Sequence, residues 1–274
     1  MGDLFLKRLA PALLALLLCS GCGNALLPFT TPEEQREAQE AAQAARLELQ
    51  AQADPALALG SPLVIRRQLT NSQGVVLAEY TVELPQFSTA GQKAQSFQRI
   101  NDYYRNELAG LSQDADSLFA AAKAHYGEGW DTVTEADGAY AVRIGYVLLD
   151  APEGYLCVRC DFRVEEGGQQ EDYSRAQVFL LDNGWVLSLS TLLGGDYETA
   201  APQLLADLLN WCEEQEVEVT SPEERTLEEF SDGYALTTEG FLFYTQPFQL
   251  TRKNPERYTI PVALTPYRRM LDLD

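Results

Sequence analysis

Gly154-Tyr-Leu-Cys-Val-Arg-Cys-Asp-Phe-Arg-Val164 alternates apolar and polar side chains, the period-2 signature of a half-buried strand. Similar runs flank it at Ala139 to Leu149 and Tyr173 to Leu181, and Asp182-Asn183-Gly184 turns the latter into Trp185 to Leu189. Upstream, Val64 to Leu69 and Val75 to Leu84 frame Asn71-Ser72-Gln73-Gly74, a hairpin signal. Downstream, Tyr234 to Thr237 and Phe241 to Tyr244 frame Thr238-Glu239-Gly240, and Tyr258-Thr259-Ile260-Pro261 reads as an edge strand, because proline gives no ladder donor. Helical periodicity falls between these groups. Gln92 to Leu108 places Phe97, Ile100, Tyr104 and Leu108 on one face, and Asp114 to His125 reads as a second helix with Leu118, Phe119 and Ala122 inward. Ala200 to Gln215 is a third, and Pro222 to Phe230 a short fourth. Strand groups with helices inserted between them predict an α+β fold with antiparallel sheets, not the strict alternation of a parallel α/β chain.

The N-terminus reads differently. Lys7 and Arg8 precede an apolar run from Leu9 to Leu18, then Cys19-Ser20-Gly21-Cys22. The run is too short to span a bilayer, which takes about 20 apolar residues, and it fits a signal-peptide core. Small residues leading into a cysteine predict cleavage after residue 21 and lipidation at Cys22, with Cys19 standing where a lipobox usually has leucine. Thr31-Pro32-Glu33-Glu34 then caps a helix rich in Ala, Gln and Glu that runs to about Ala53. With almost no apolar stripe it reads as a solvated stalk roughly 30 Å long. The protein is therefore expected on the outer face of the cytoplasmic membrane, held there by its N-terminal lipid.

Composition bounds what this chain can bind. A formal charge of -21, from 41 acidic and 20 basic residues, disfavours nucleic acid and anionic lipid, which need clustered Lys and Arg. It suits a cationic partner, or simply solubility. Cys157 and Cys160 have CxxC spacing, but three residues apart on a strand they point to opposite faces about 10 Å apart, too far for a disulfide. Cys212 falls on an apolar helical stripe with Leu205, Leu208 and Leu209. The single histidine, His125, sits near a helix end, where solvation of the C-terminus is the ordinary role. There is no nucleophile elbow, phosphate loop, HExxH or calcium loop. No metal, cofactor or catalytic residue is therefore expected, and the chain is expected not to be an enzyme.

Two stretches stand out as binding candidates. Trp130 lies in Tyr126-Gly-Glu-Gly-Trp130-Asp131, a glycine-loosened loop, and loops carry function disproportionately. Glu165, Glu166, Gly167, Gly168, Gln169, Gln170 and Asp172 lie in a segment that reads as a long acidic exposed loop between two strands. For the aromatics core packing is the ordinary reading, and for the acids a solvated face.

Three stretches carry a resemblance. They are Leu84-Pro85-Gln86-Phe87 leading to Phe97-Gln98-Arg99-Ile100-Asn101; Gly167-Gly168 followed by a strand, Asp182-Asn183-Gly184 and Leu189-Ser190-Thr191-Leu192-Leu193; and Tyr234-Ala-Leu-Thr-Thr-Glu-Gly240-Phe-Leu-Phe-Tyr244 with Tyr258-Thr-Ile-Pro-Val262 and Leu264. Together they resemble a bacterial extracytoplasmic family of unknown biochemical activity. Its two halves recur in the ectodomain of the lysozyme-sensing anti-sigma factor, and its first half beside polysaccharide deacetylase domains. The chain departs from that family's frequent Gly-Gly-Ala-His at Gly167-Gly168-Gln169-Gln170, so no role passes to a histidine there. Only Met1 to Arg8 precede the apolar run, which argues against an anti-sigma factor.

The resemblance implies halves at 58–170 and 171–274, after a signal peptide at 1–21 and a tether and stalk at 22–57, in a Gram-positive bacterium. It implies a non-enzymatic binding or sensing module for a cationic wall-lytic protein such as lysozyme or for a cell-wall glycan. The alternatives are a carboxylate-dependent enzyme acting on that glycan and an accessory subunit of a surface complex.

Overall fold

Alternation along the first two strands closes them into an antiparallel hairpin, β1 (Leu63–Thr70) and β2 (Val76–Leu84). The computed structural model describes residues 59–271 except 90, 137–139, 252, 254 and 255, and leaves the side chains of 231 and 232 undescribed. The expected signal peptide, the expected lipidation site Cys22 and the expected stalk lie outside the described residues. Helix α1 (Ala94–Tyr126) follows β2, and β3 (Tyr140–Leu149), β4 (Tyr155–Glu166), β5 (Gln169–Leu180) and β6 (Val186–Leu187) complete a six-stranded sheet in sequence order. The α+β class expected from the sequence holds. One pairing departs from the antiparallel pattern: β2 and β3 run parallel, as they must when a helix carries the chain from one end of the sheet back to the other.

Where two helices were expected, α1 is one helix of 33 residues. Gly110, between the two expected helices, does not interrupt it, since a glycine in a helix costs only about 1 kcal/mol against alanine. Tertiary burial outweighs that cost. The stripe Phe97, Ile100, Tyr104, Leu108, Leu111, Ala115, Leu118, Ala122 continues at spacings of three and four straight through it, buried or half-buried along its length. This stripe covers one face of the sheet, called here the inner face. Tyr103 and Tyr104 set their rings against Phe179 at 5.3 and 5.8 Å, and Tyr80, Val82 and Leu84 are buried beside them.

The rest of the chain forms a second layer. Helix α2 (Leu189–Leu193) starts at Ser188, whose hydroxyl accepts from the Thr191 N–H, so Leu189, expected to end a strand, begins a helix instead. Helix α3 (Tyr197–Glu214) and a three-stranded sheet of β7 (Tyr234–Leu236), β8 (Gly240–Tyr244) and β9 (Thr259–Ala263) follow. Its order is β7-β8-β9, with β9 at the edge as Pro261 predicts. Their apolar faces meet Cys157, Ala176 and Val178 on the outer face of the large sheet, in one core that includes Leu204, Leu208, Phe241, Phe243 and Tyr267. Position 170, where the two halves were expected to meet, falls inside β5.

Candidate functional site

The second layer covers only part of the outer face, and the remainder is open. Directly opposed residues on antiparallel strands share a face, so the registers define rows across the sheet. Cys157 and Val178 form a covered row, and Arg159 and Ala176 the boundary. Gly145, Asp161 and Ser174 form the next row, and Arg143, Arg163 and Asp172 the one after. In these two rows the side chains are polar or absent. These rows, with Thr81 and Glu83 of β2 and Tyr244, Thr245, Arg257, Tyr258 and Thr259 from the second layer, line a cleft of about 620 Å³.

Ion pairs fix the cleft floor. Arg159 donates from Nη2 to Asp161 Oδ2 at 2.9 Å, its Nε lies 2.8 Å from Asp161 Oδ1, and the Ser174 hydroxyl donates to Asp161 Oδ1 at 2.7 Å. Arg163 clasps Asp172 through Nε and Nη2 at 2.8 and 3.3 Å. Arg143 bridges Glu165 at 2.9 Å and Glu79 at 3.3 Å. Arg257 donates to the Asp172 carbonyl at 2.7 Å and to Glu171 at 3.1 Å, with its guanidinium over the Tyr173 ring. The hydrogen bond from Arg163 holds the Asp172 carboxyl below its ordinary pKa, against a smaller opposing effect of burial. Burial works against the Arg159 charge, but Asp161 outweighs it and the pKa is raised. Burial also raises the Tyr244 hydroxyl, with the neighbouring Arg159 pulling the other way.

Three polar atoms around this cleft are buried without a well-formed hydrogen bond among the described residues: Arg159 Nε, Tyr244 Oη and Arg257 Nε. Glu83 differs from the other lining carboxylates. It is half-buried and has no hydrogen-bond or ion-pair partner among the described residues. At Gly145 an added Cβ would meet nothing within 4 Å, so the floor is open where every neighbouring residue of that row has a side chain.

The acidic segment singled out in the sequence is not a long loop. Glu165 and Glu166 end β4, Gln169, Gln170, Glu171 and Asp172 begin β5, and only Gly167 and Gly168 turn. Both glycines have positive φ, 61° and 79°, the requirement of the two-residue turn that matches strand twist. Acidic side chains masked the strand pattern, since Glu165, Glu171 and Asp172 are paired with arginines. Of the candidates, Asp172 lines the cleft and Glu165 reaches it through Arg143, whereas Glu166, Gly167, Gly168, Gln169 and Gln170 lie at the hairpin end beyond it.

Trp130 is placed apart from the cleft lining. It sits on a 3-10 helix, Gly127–Thr132, that continues α1, with Lys123 Nζ 4.4 Å from its ring centroid. Asn71 in the β1–β2 turn donates to the carbonyls of Trp130 and Val133 at 3.3 and 2.7 Å, and Ser72 is bonded to Asp131 through both its N–H and its hydroxyl. A segment tied this way is a strut between helix and hairpin rather than a free loop. His125 is exposed near it, its ring against Tyr126 and Tyr140. The thiols of Cys157 and Cys160 are buried, and burial pushes both up to about 12. No group of three or more metal-ligating side chains converges among the described residues, and no described helix is long and apolar enough to cross a membrane.

No family model matches the chain, and no curated protein does. Solved structures do share its fold. A DUF3298-family protein of Bacteroides fragilis is 14% identical with a TM-score of 0.52, over 78% of this chain and 94% of that one. A DUF3298-family protein of Pseudomonas aeruginosa is 12% identical with a TM-score of 0.50, over 79% of this chain and 94% of that one. At these identities the likeness is one of fold.

Proposed function

We propose that this chain is a lipid-tethered extracytoplasmic binding module that takes a cell-wall glycan in the cleft between its two layers. The observation that carries the reading is the arginine–carboxylate lattice of the floor. Each pair is already neutralised, so the paired lattice itself does not select a further net charge. What the pairs leave over is a field of N–H donors beside carboxylate lone pairs. A sugar hydroxyl both donates and accepts, and it satisfies both kinds of group at once. Tyr258, half-buried at the cleft wall, supplies an aromatic surface of the kind that packs against sugar rings.

Binding is favoured over the carboxylate-dependent enzyme. Glycoside hydrolysis needs one carboxyl kept protonated as an acid. Of the three lining carboxylates, Asp172 is held the other way, below its ordinary pKa, and Asp161 is tied to Arg159 and Ser174, so that Glu83 has no second free carboxylate to work with among the described residues of the cleft. Tethering at Cys22 and the location on the outer face of the membrane rest on the signal-like N-terminus, and kinship with anti-sigma ectodomains and deacetylase-associated proteins rests on the sequence resemblance.

A second reading, capture of a cationic protein such as lysozyme, has its own observation. Glu213, Glu214, Glu216, Glu218, Glu223, Glu224, Glu228 and Glu229 follow one another along the end of α3 and the turns after it, and all are exposed. Arg225 is the one basic residue between positions 213 and 229. Calorimetry of the full chain against soluble wall-glycan fragments and against lysozyme, each at two salt concentrations, separates the readings. The first expects fragment binding that survives added salt. Binding to lysozyme alone, weakened by salt, overturns it in favour of the second.

A further inference from the structure

We infer that the cleft reads an ammonium group on its glycan, and that Glu83 is the residue that holds it. The inference rests on the glycan-binding reading and names what distinguishes one glycan from another. Every other carboxylate lining the cleft is committed: Asp161 to Arg159 and Ser174, Asp172 to Arg163 and Gln170. Among the described residues, Glu83 is the lining carboxylate that faces the same space with no partner. A half-buried carboxylate is worth more to an incoming cation than an exposed one, because salt and water screen it less.

The geometry leaves a place for that cation. On the neighbouring strand Gly145 presents no side chain, an added Cβ there would meet nothing within 4 Å, and Asp161 stands directly opposite it on β4. An ammonium above Gly145 would lie between Glu83 on one side and Asp161 on the other, with three N–H donors to divide between them. Tyr244, only 6% exposed and with its hydroxyl lacking a well-formed hydrogen bond, lines the same cleft, so the site is walled and polar rather than a run of surface acids. The ligand chemistry is a polyhydroxylated ring carrying a primary amine. A de-N-acetylated amino sugar has it, and the acetylated form lacks the charge.

The test is calorimetry of the full chain with a tetramer of N-acetylglucosamine and a tetramer of glucosamine, below the pKa of the amine. A lysyl tripeptide serves as a third arm, to separate an amino sugar from an amine on a peptide. The glucosamine tetramer is expected to bind about tenfold tighter than the acetylated one, the worth of one partly desolvated charged hydrogen bond. Glu83→Gln keeps the shape and removes the charge, and is expected to abolish that preference while leaving the acetylated tetramer's affinity in place. Gly145→Val fills the floor with a residue that strands favour, so folding is kept, and is expected to lose both tetramers.

Equal binding of both tetramers, lost in Gly145→Val, overturns the inference and leaves the glycan reading standing. A preference that survives Glu83→Gln overturns the role of Glu83. Binding of the tripeptide in place of the sugars overturns the amino-sugar assignment. Failure of both tetramers overturns the glycan reading, and the inference with it.

Discussion

The outer face of the large sheet is two surfaces in one. From Arg159 and Ala176 toward Tyr155 and Leu180 it carries Cys157 and Val178, and the second layer is packed on it. In the other direction the same strands present Asp161, Arg163, Ser174 and Asp172, which line an open cleft where the second layer reaches them through Arg257 without packing an apolar face on them. Backbone geometry is continuous across the boundary, so the difference lies in side chains alone. Apolar area removed from water, worth about 25 cal/mol per Å², recruits a layer. A lattice of paired charges cannot, since burying it would strip hydration that the pairs do not fully replace. The covered half therefore holds the molecule together and the open half is free to bind.

That division can be attacked from either side. The largest loss is expected from Phe241→Ala, which empties the fully buried centre of the covered half where Tyr234, Phe243 and Tyr267 meet it. A cost of about 3–5 kcal/mol in urea unfolding, with an unchanged slope, is the expected outcome.

Two mirrored substitutions on β5 sharpen the comparison. Val178→Thr keeps the shape and buries a hydroxyl in the apolar half, for about 1–3 kcal/mol. Ser174→Val, four residues away on the same face, loses one hydrogen bond to Asp161 and is expected to cost about 1 kcal/mol or less. Equal costs in the two would mean that the faces do not differ as described.

The smallest effect concerns pH. The carboxyl of Asp172 is depressed by Arg163, so its contribution is present above the unfolded-state value and is lost as pH falls through the folded one. Both partners are about half exposed, which limits the contribution to a few tenths of a kcal/mol. Asp172→Asn should lower stability at neutral pH by that amount, leave the acid end unchanged, and so flatten the acid limb of the urea midpoint against pH.

Much of this architecture is legible in the residues. Every strand was anticipated to within a few positions, because alternation and turn residues are local properties. Two misses have a common origin. The segment around Gly110, left between two expected helices, and the acidic run from Glu165 to Asp172 look like breaks when judged locally, and tertiary partners overrule both. For Gly110 that partner is the apolar stripe buried on the sheet; for the acids it is Arg143, Arg163 and Arg257. The cleft was less legible. Arg159, Asp161 and Arg163 stand in the alternating stretch itself, but an outward polar residue reads as plain solvent exposure until the extent of the second layer is known. Glu83 and Gly145 gave no signal, since their meaning comes from adjacency across strands distant in sequence. Trp130 was prominent for its glycines, which serve a helix end tied to a hairpin.

The single parallel pairing has a consequence for how the chain comes together in time. The β1–β2 hairpin and the β3–β4–β5 meander each join residues close in sequence and form quickly once started. The contact between β2 and β3, as between Glu79 and Ala141, closes a loop of roughly sixty residues that includes the whole of α1. Distant contacts of this kind slow folding, because the loop must close before the contact rewards it. The seam between β2 and β3 is thus the expected bottleneck. It is also the seam across which Glu83 and Gly145 are brought side by side, so the proposed recognition site is assembled only at the last step.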